Sequence, residues 1–209
     1  MTKVLQYIHY PNNTELGKGN TNETYMLVPL SIDASELFPF NEEVDFIEPS
    51  TSQTYKIKAK GDEKEFRVNQ MGEFYRANQA RFGDVVSGTM ISNNNDSIRF
   101  ISIIKQQCLG LFGNSKKGYE LLNSELIEQL GFSPRTKTPF KLRLMYNGQE
   151  CLISISYKES KKKRKDSPIE TDFYNVNCTE IELGGKLIAN LETNDLIELN
   201  KSYYNVIYW

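Results

Sequence analysis

The side chains in this chain that lend themselves most readily to chemistry are cations. Lys161-Lys162-Lys163-Arg164-Lys165 are five in succession, and Lys56, Lys58 and Lys60 alternate with Tyr55, Ile57 and Ala59. A strand repeats its side chains every two residues, so the three lysines share one face. Clusters of this kind neutralise phosphates, and they make affinity for duplex DNA fall with salt. The alternating lysines equally suit a charged edge strand that discourages aggregation. The five-cation run equally suits a solvated loop or a localisation-like patch. Arg76 and Arg81 read as solvent-facing charges. The formal net charge of −2 does not signal a nucleic-acid binder, but affinity follows a local basic surface and not the total.

Catalytic constellations are thinner. A metal-dependent nuclease places an Asp, then a Glu or Asp one residue before a Lys, around a divalent ion. Asp45 with Asp62-x-Lys64 has that spacing, but its second half falls in a loop. Glu159-x-Lys161 follows a strand, but no aspartate lies between Asp96 and Asp166 to complete it. Three scattered cysteines (Cys108, Cys151, Cys178) and a single histidine, His9, make no zinc ligand set. His9 has no acid–base partner evident in the sequence and reads as structural. No GxxxxGK[ST] phosphate loop occurs. The expectation is no catalytic residue, no metal and no cofactor. The cysteine usage fits a reducing cytoplasm without disulfides.

Those residues need elements to hold them. A hydrophobic fraction of 39% and an aromatic fraction of 11% suit a folded protein. No apolar run approaches the roughly 18 residues of a membrane span, and MTKVLQYIHYP lacks the apolar centre of a secretory signal. Alternation predicts strands at 4–10, 24–30, 43–47, 54–59, 65–69, 84–91 and 98–104, with a short helix over 71–79 that turns Phe74 and Tyr75 inward. The glycines and polar residues of 106–118 read as a linker, with a boundary near Ser115. Beyond it the pattern predicts a helix over 118–130 and strands at 140–145, 149–157, 172–182, 195–199 and 202–208. Asn147-Gly148 marks a tight hairpin. The spacing Gly72-x4-Ala77-Asn78 and Gly184-x4-Ala189-Asn190 is a weak internal echo.

Several features coincide in the first half. They are the polar loop 12–23, the strand Tyr25-Met26-Leu27-Val28-Pro29 that ends in proline, the hairpin over 55–69, the short helix, and the turn Gly83-Asp84 into Val85-Val86. In order and spacing they resemble the DNA-binding pseudobarrels of the plant B-three type found in restriction endonucleases, such as the EcoRII effector-binding domain and the BfiI C-terminal domain. The resemblance covers about residues 1–105 and implies two loop arms that grip the major groove. The first arm then uses Lys18, Asn20, Thr21, Asn22 and Glu23; the second uses Lys58, Lys60, Lys64, Arg67 and Asn69. Lys and Arg pair with guanine acceptors, Asn with adenine, and a carboxylate accepts from the cytosine amino group. Family members carry a His-Gln pair where this chain has Asn22-Glu23, which leaves the target sequence open.

The expected architecture is mainly β (α+β). A seven-stranded open pseudobarrel with short helices occupies 1–114, and a second β-rich region, a degenerate copy of the first if the echo is real, occupies 115–209. Lys161, Lys162, Lys163, Arg164 and Lys165 add a second DNA contact. The expected role is site-specific recognition of double-stranded DNA as the target-recognition part of a bacterial restriction-modification system. Such a part is cytoplasmic, has no membrane partner, and works with a nuclease or a GTPase/ATPase motor as in McrB-like or LlaJI-like arrangements. The alternatives are a small metal-dependent nuclease and a non-catalytic protein-interaction module.

Overall fold

Strands form wherever apolar and polar side chains alternate. The computed structural model describes residues 1–17, 23–61, 65–94, 96–114, 117–123, 125–162, 170–199 and 202–208. In chain order the first strands are β1 (Thr2–His9), β2 (Tyr25–Val28), β3 (Glu43–Ile47), β4 (Thr54–Gly61) and β5 (Phe66–Asn69). Helix α1 (Gly72–Ala77) leads to β6 (Val85–Asn93) and β7 (Asp96–Ile104). Next come β8 (Cys108–Asn114), β9 (Gly118–Leu121), α2 (Glu125–Gln129), β10 (Phe140–Tyr146), β11 (Gln149–Lys162) and β12 (Glu170–Cys178). The chain closes with β13 (Lys186–Asn190), β14 (Asp195–Glu198) and β15 (Tyr203–Tyr208).

Two compact units result, Met1–Lys105 with Lys201–Trp209, and Gln106–Asn200. The first is a curled, half-barrel sheet in the order β15-β1-β6-β7-β3-β4-β5-β2. Its concave side buries Leu5, Tyr7, Phe38, Phe46, Ile57, Phe74 and Ile101, each 1% exposed or less. Burying side chains of this size contributes about 1.5–3 kcal/mol each. Phe74 of α1 meets Tyr55 of β4 edge-on at 5.2 Å, which locks the helix to the hairpin. The second unit is a closed barrel in the order β10-β11-β12-β9-β8-β13-β14, sealed by the parallel pairing of Met145 and Asp195. Leu109, Leu111, Ile153, Ile155, Tyr174 and Leu187 fill it.

In the first unit the expected strands and helix form within a few residues of their predicted ends. The sheet has eight strands and not seven, because β15 returns to pair with β1, Lys3 opposite Tyr208 through Ile8 opposite Tyr203. The residues between Lys105 and Lys201 thus form an insertion between β7 and β15.

The second unit departs further from expectation. The stretch expected to be a linker is β8, paired to β9 and β13. Its glycines are strand residues: the Gly110 amide donates to Asn123 Oδ1 at 2.7 Å, and the Gly113 amide to Gly185 O at 2.5 Å. The helix expected over 118–130 is replaced by β9 and the short α2. Tyr119 and Glu120 pair with Tyr174 and Phe173, and buried Asn123 also donates to Cys108 O. Tertiary pairing outweighs helix propensity here. Of the loop expected over 158–171, residues 158–162 belong to β11 and 170–171 to β12, with a bulge between Tyr157 and Glu159. The two echoed segments differ as well: Gly72–Ala77 is helix, whereas Lys186–Asn190 is strand.

Removing residues 202–208 exposes the β1 edge and strips Tyr204 from the core it packs against. The expected outcome is loss of hydrogen-exchange protection across β1 and β6 with protection of β11 and β12 retained.

Candidate nucleic-acid interface

The site is built on three adjacent strands. β5 pairs on one side with β4 (Lys58 with Asn69, Lys60 with Arg67) and on the other with β2 (Tyr25 with Asn69, Leu27 with Arg67). Tyr55, Ile57, Ala59, Phe66, Val68 and Met26 point into the core. The period of two therefore turns Lys56, Lys58, Lys60, Arg67 and Asn69 to the opposite face. The edge-strand reading of the lysines is overturned, since β4 lies between β3 and β5.

Glu23, Thr24, Lys60, Gly61, Glu65, Arg67, Asn69 and Gln70 line an open concavity of about 730 Å³ on this face. Glu23, assigned to the first arm, thus lies beside Lys60, Arg67 and Asn69 of the second. Gly61 sits where the hairpin bends: a Cβ there would meet Phe40 Cε1 at 2.6 Å and Glu65 O at 3.0 Å. Lys18, Asn20, Thr21, Asn22 and Lys64 lie outside the described residues.

Acids interleave with the cations. Lys56 lies 3.4 Å from Glu43, whose carboxyl is held below its usual range first by Gln70 and then by Lys56. Arg67 Nε is 2.9 Å from Glu65 Oε2, an ion contact without an aligned N–H. Its Nη1 is 3.5 Å from Glu23, and its guanidinium lies 4.5 Å over the Tyr25 ring. Glu65 foremost pushes the Arg67 pKa up. Lys58 and Lys60 have no carboxylate within ion-pair distance among the described residues.

Buried carboxylates fix the loops around this face. Glu15, 1% exposed, accepts from the Asn12 amide at 2.8 Å and the Leu27 amide at 2.7 Å, and meets His9 Nε2 at 2.7 Å. His9 Nδ1 contacts Ser202 Oγ at 3.1 Å, and Tyr7 OH donates to Leu27 O at 3.1 Å. This network ties β1, the base of the first arm, β2 and the approach to β15 together. Burial pushes the Glu15 carboxyl up, but His9 and the two amides outweigh it and leave the pKa lowered. Glu48 likewise gathers Ser50, Thr51, Tyr55 and Asn78, joining the β3–β4 turn to the end of α1. In the Gly83-Asp84 turn, Gly83 adopts φ +96°. Asp84, fully buried, accepts from the Arg81 amide at 2.9 Å and Lys105 Nζ at 2.8 Å.

His9 therefore has the acid partner that the sequence does not reveal. Ser202, His9 and Glu15 have the contact order of a hydrolase triad, yet Glu15 is also committed to one loop amide and one β2 amide, and His9 is buried. Glu15, Tyr25 and Glu65 are the site residues missed in the sequence. Nothing in the spacing His9-x5-Glu15 marks it, because the contact is made only when β1 and the loop fold together.

In the second unit Lys161 and Lys162 lie on the extended hairpin, opposite Thr171 and Glu170. Lys161 pairs with Glu159 at 2.7 Å, and Lys162 O accepts from Lys117 Nζ. Lys163, Arg164 and Lys165 lie outside the described residues. Of the nuclease fragments, Asp45 is an exposed β3 residue opposite Lys56, and Asp62 and Lys64 are not described. Among the described residues no group of three His, Cys, Asp or Glu side chains could hold a metal ion, and no helix is long and apolar enough to cross a membrane.

No protein-family model matches the chain, and no curated protein does. Among solved structures, a hypothetical protein of Arabidopsis thaliana aligns at 16% identity over 48% of this chain and 90% of its own length, with a TM-score of 0.36.

The lowered Glu15 pKa fixes a pH dependence. Its contribution is complete above the ordinary carboxylate range, about 4.3, and is lost as pH falls through the lower folded value. Glu15→Gln should destabilise the first unit at neutral pH by about 1–3 kcal/mol. It should also flatten the acid limb of stability against pH, read by denaturant unfolding from neutral to acid pH.

Proposed function

We propose that the first unit recognises specific sequences in double-stranded DNA, with the concavity on the β2–β5–β4 face set against the major groove. In this reading the unit is a B-three-like pseudobarrel serving as the target-recognition part of a bacterial restriction-modification system. It acts in the cytoplasm alongside a nuclease or nucleotide-driven motor. The observation that carries the proposal is the convergence of Glu23 with Lys60, Arg67 and Asn69 around one opening. The resemblance puts these residues on two separate arms, and they line one opening. The side chains supply what groove reading needs: cations for phosphates, and an amide, a guanidinium and a carboxylate for base edges. Lys58 and Lys60, which have no carboxylate within ion-pair distance among the described residues, suit phosphate contacts that set register.

One observation favours a second reading. Glu23, Glu43, Asp45 and Glu65 interleave with the cations, as on a surface that meets a protein of mixed charge. A non-catalytic interaction module with this face should give no mobility shift on duplex DNA even at low salt.

Selection from a randomised duplex library at near-physiological salt, without metal, separates the two. Enrichment of one short motif supports DNA recognition. Binding without enrichment leaves a phosphate-tracking surface, and no binding leaves the interaction module. Lys58→Ala and Lys60→Ala should each reduce the slope of log affinity against log salt by about 0.9 if each holds one phosphate. Each should leave the selected motif unchanged.

A further inference from the structure

Arg67 differs from the lysines around it. It faces two carboxylates, Glu65 at 2.9 Å and Glu23 at 3.5 Å, and its guanidinium carbon lies 4.5 Å over the Tyr25 ring. A phosphate brought to this guanidinium meets a site whose positive charge is already offset, and repulsion from both acids. A neutral base edge meets neither obstacle. The Tyr25 ring on one side and Glu65 beside Nε restrict where the guanidinium can sit, and Arg67 lines the concavity together with Glu23, which lies on its Nη1 side. A planar, buttressed fork of donors suits the paired acceptors of guanine, N7 and O6.

Glu23 completes the pattern. Its side chain is 71% exposed and its oxygen lies beside Arg67 Nη1. In a G·C pair the guanine O6 and the cytosine amino group sit side by side across the major groove, at about hydrogen-bond distance. The edge reads acceptor, acceptor, donor. Arg67 followed by Glu23 presents donor, donor, acceptor. An A·T pair, with its amino group central, offers acceptor, donor, acceptor and mismatches this order.

We infer that Arg67 reads guanine and Glu23 accepts from the cytosine amino group of the same base pair, with Tyr25 and Glu65 as positioning residues. This rests on the duplex-recognition reading above. It assigns Arg67 to specificity and leaves affinity for the phosphates to Lys58 and Lys60.

The test is selection and sequencing on randomised duplexes with the full chain, using wild type, Arg67→Ala, Arg67→Lys, Glu23→Gln and Lys60→Ala. Each protein's melting temperature is measured alongside. The wild-type motif should contain one fixed G·C position. Arg67→Lys keeps the charge and loses the fork, so it guards against a folding defect in the alanine variant. Both Arg67 variants should lower the preference at that position about ten- to a hundred-fold and leave the other positions intact. Glu23→Gln should relax the same position, whereas Lys60→Ala should weaken all sequences evenly. The assignment is overturned if Arg67→Lys retains the wild-type motif. It is equally overturned if Arg67→Ala weakens every sequence alike and flattens the salt dependence, as a phosphate anchor does. Either of those results leaves DNA recognition standing. Wild type that binds no duplex, or enriches no motif, overturns both readings together.

Discussion

The geometry of the candidate face depends on one buried carboxylate. Glu15 is taken out of water at a cost of several kcal/mol for an unpaired charge, and its place is tenable because three donors converge on it. Two of these are backbone amides, so the group fixes main chain and not merely a side chain. The Leu27 amide belongs to β2, at one margin of the sheet, and the Asn12 amide starts the loop of the first arm. By satisfying both, Glu15 holds the start of that loop against the strand it must accompany. Asp84 repeats the device through the Arg81 amide at the turn into β6, and Glu48 gathers side chains at the β3–β4 turn. Loops carry recognition residues, and loops are ordinarily the least constrained part of a fold. Here buried acids supply the constraint that a hydrophobic core cannot supply to polar main chain.

The outward face follows a different electrostatic rule. Lys56 and Arg67 are offset by acids at short range, Lys58 and Lys60 have no such acid among the described residues, and the protein as a whole carries −2. An array of unopposed lysines binds any duplex through its phosphates, and that binding says nothing about sequence. Interleaved carboxylates lower this common term and repel phosphates that approach off register. Weak general affinity and strict geometry then belong together: discrimination is a difference between affinities, and suppressing the wrong complexes serves it as well as stabilising the right one. Arg67, held by Glu65 and Tyr25, shows the rule in a single side chain.

What the sequence conveys depends on the range of the interaction. The alternation Tyr55-Lys56-Ile57-Lys58-Ala59-Lys60 is local, and it correctly places three lysines on one face. The helix around Phe74 and Tyr75 is local in the same sense. The contact of His9 with Glu15 needs a closed loop, and the stacking of Arg67 on Tyr25 needs β2 beside β5; neither leaves a trace in spacing. The second unit is harder still. Gly110 and Gly113 look like linker residues because their lack of side chains signals flexibility, yet Gly110 gives its amide to Asn123 and Gly113 to Gly185. The apolar residues after Gly118 fit a helix or a strand, and only the partners offered by β8 and β12 decide between them.

The return of β15 to β1 closes the first sheet with residues that follow the second unit. The first sheet is complete only after the barrel has been threaded between β7 and β15, so folding of the first unit must wait for its last residues. Ser202, one residue before that strand, contacts His9, which in turn contacts Glu15. The start of the loop at Asn12 is thereby linked through Glu15, His9 and Ser202 to the closing of the sheet. A chain that has not completed β15 lacks the Ser202 contact on the imidazole and presents an unpaired β1 edge. Anchoring of the loop at Asn12 and completion of the sheet are coupled in this way, and the insertion leaves from and returns to strands of one sheet.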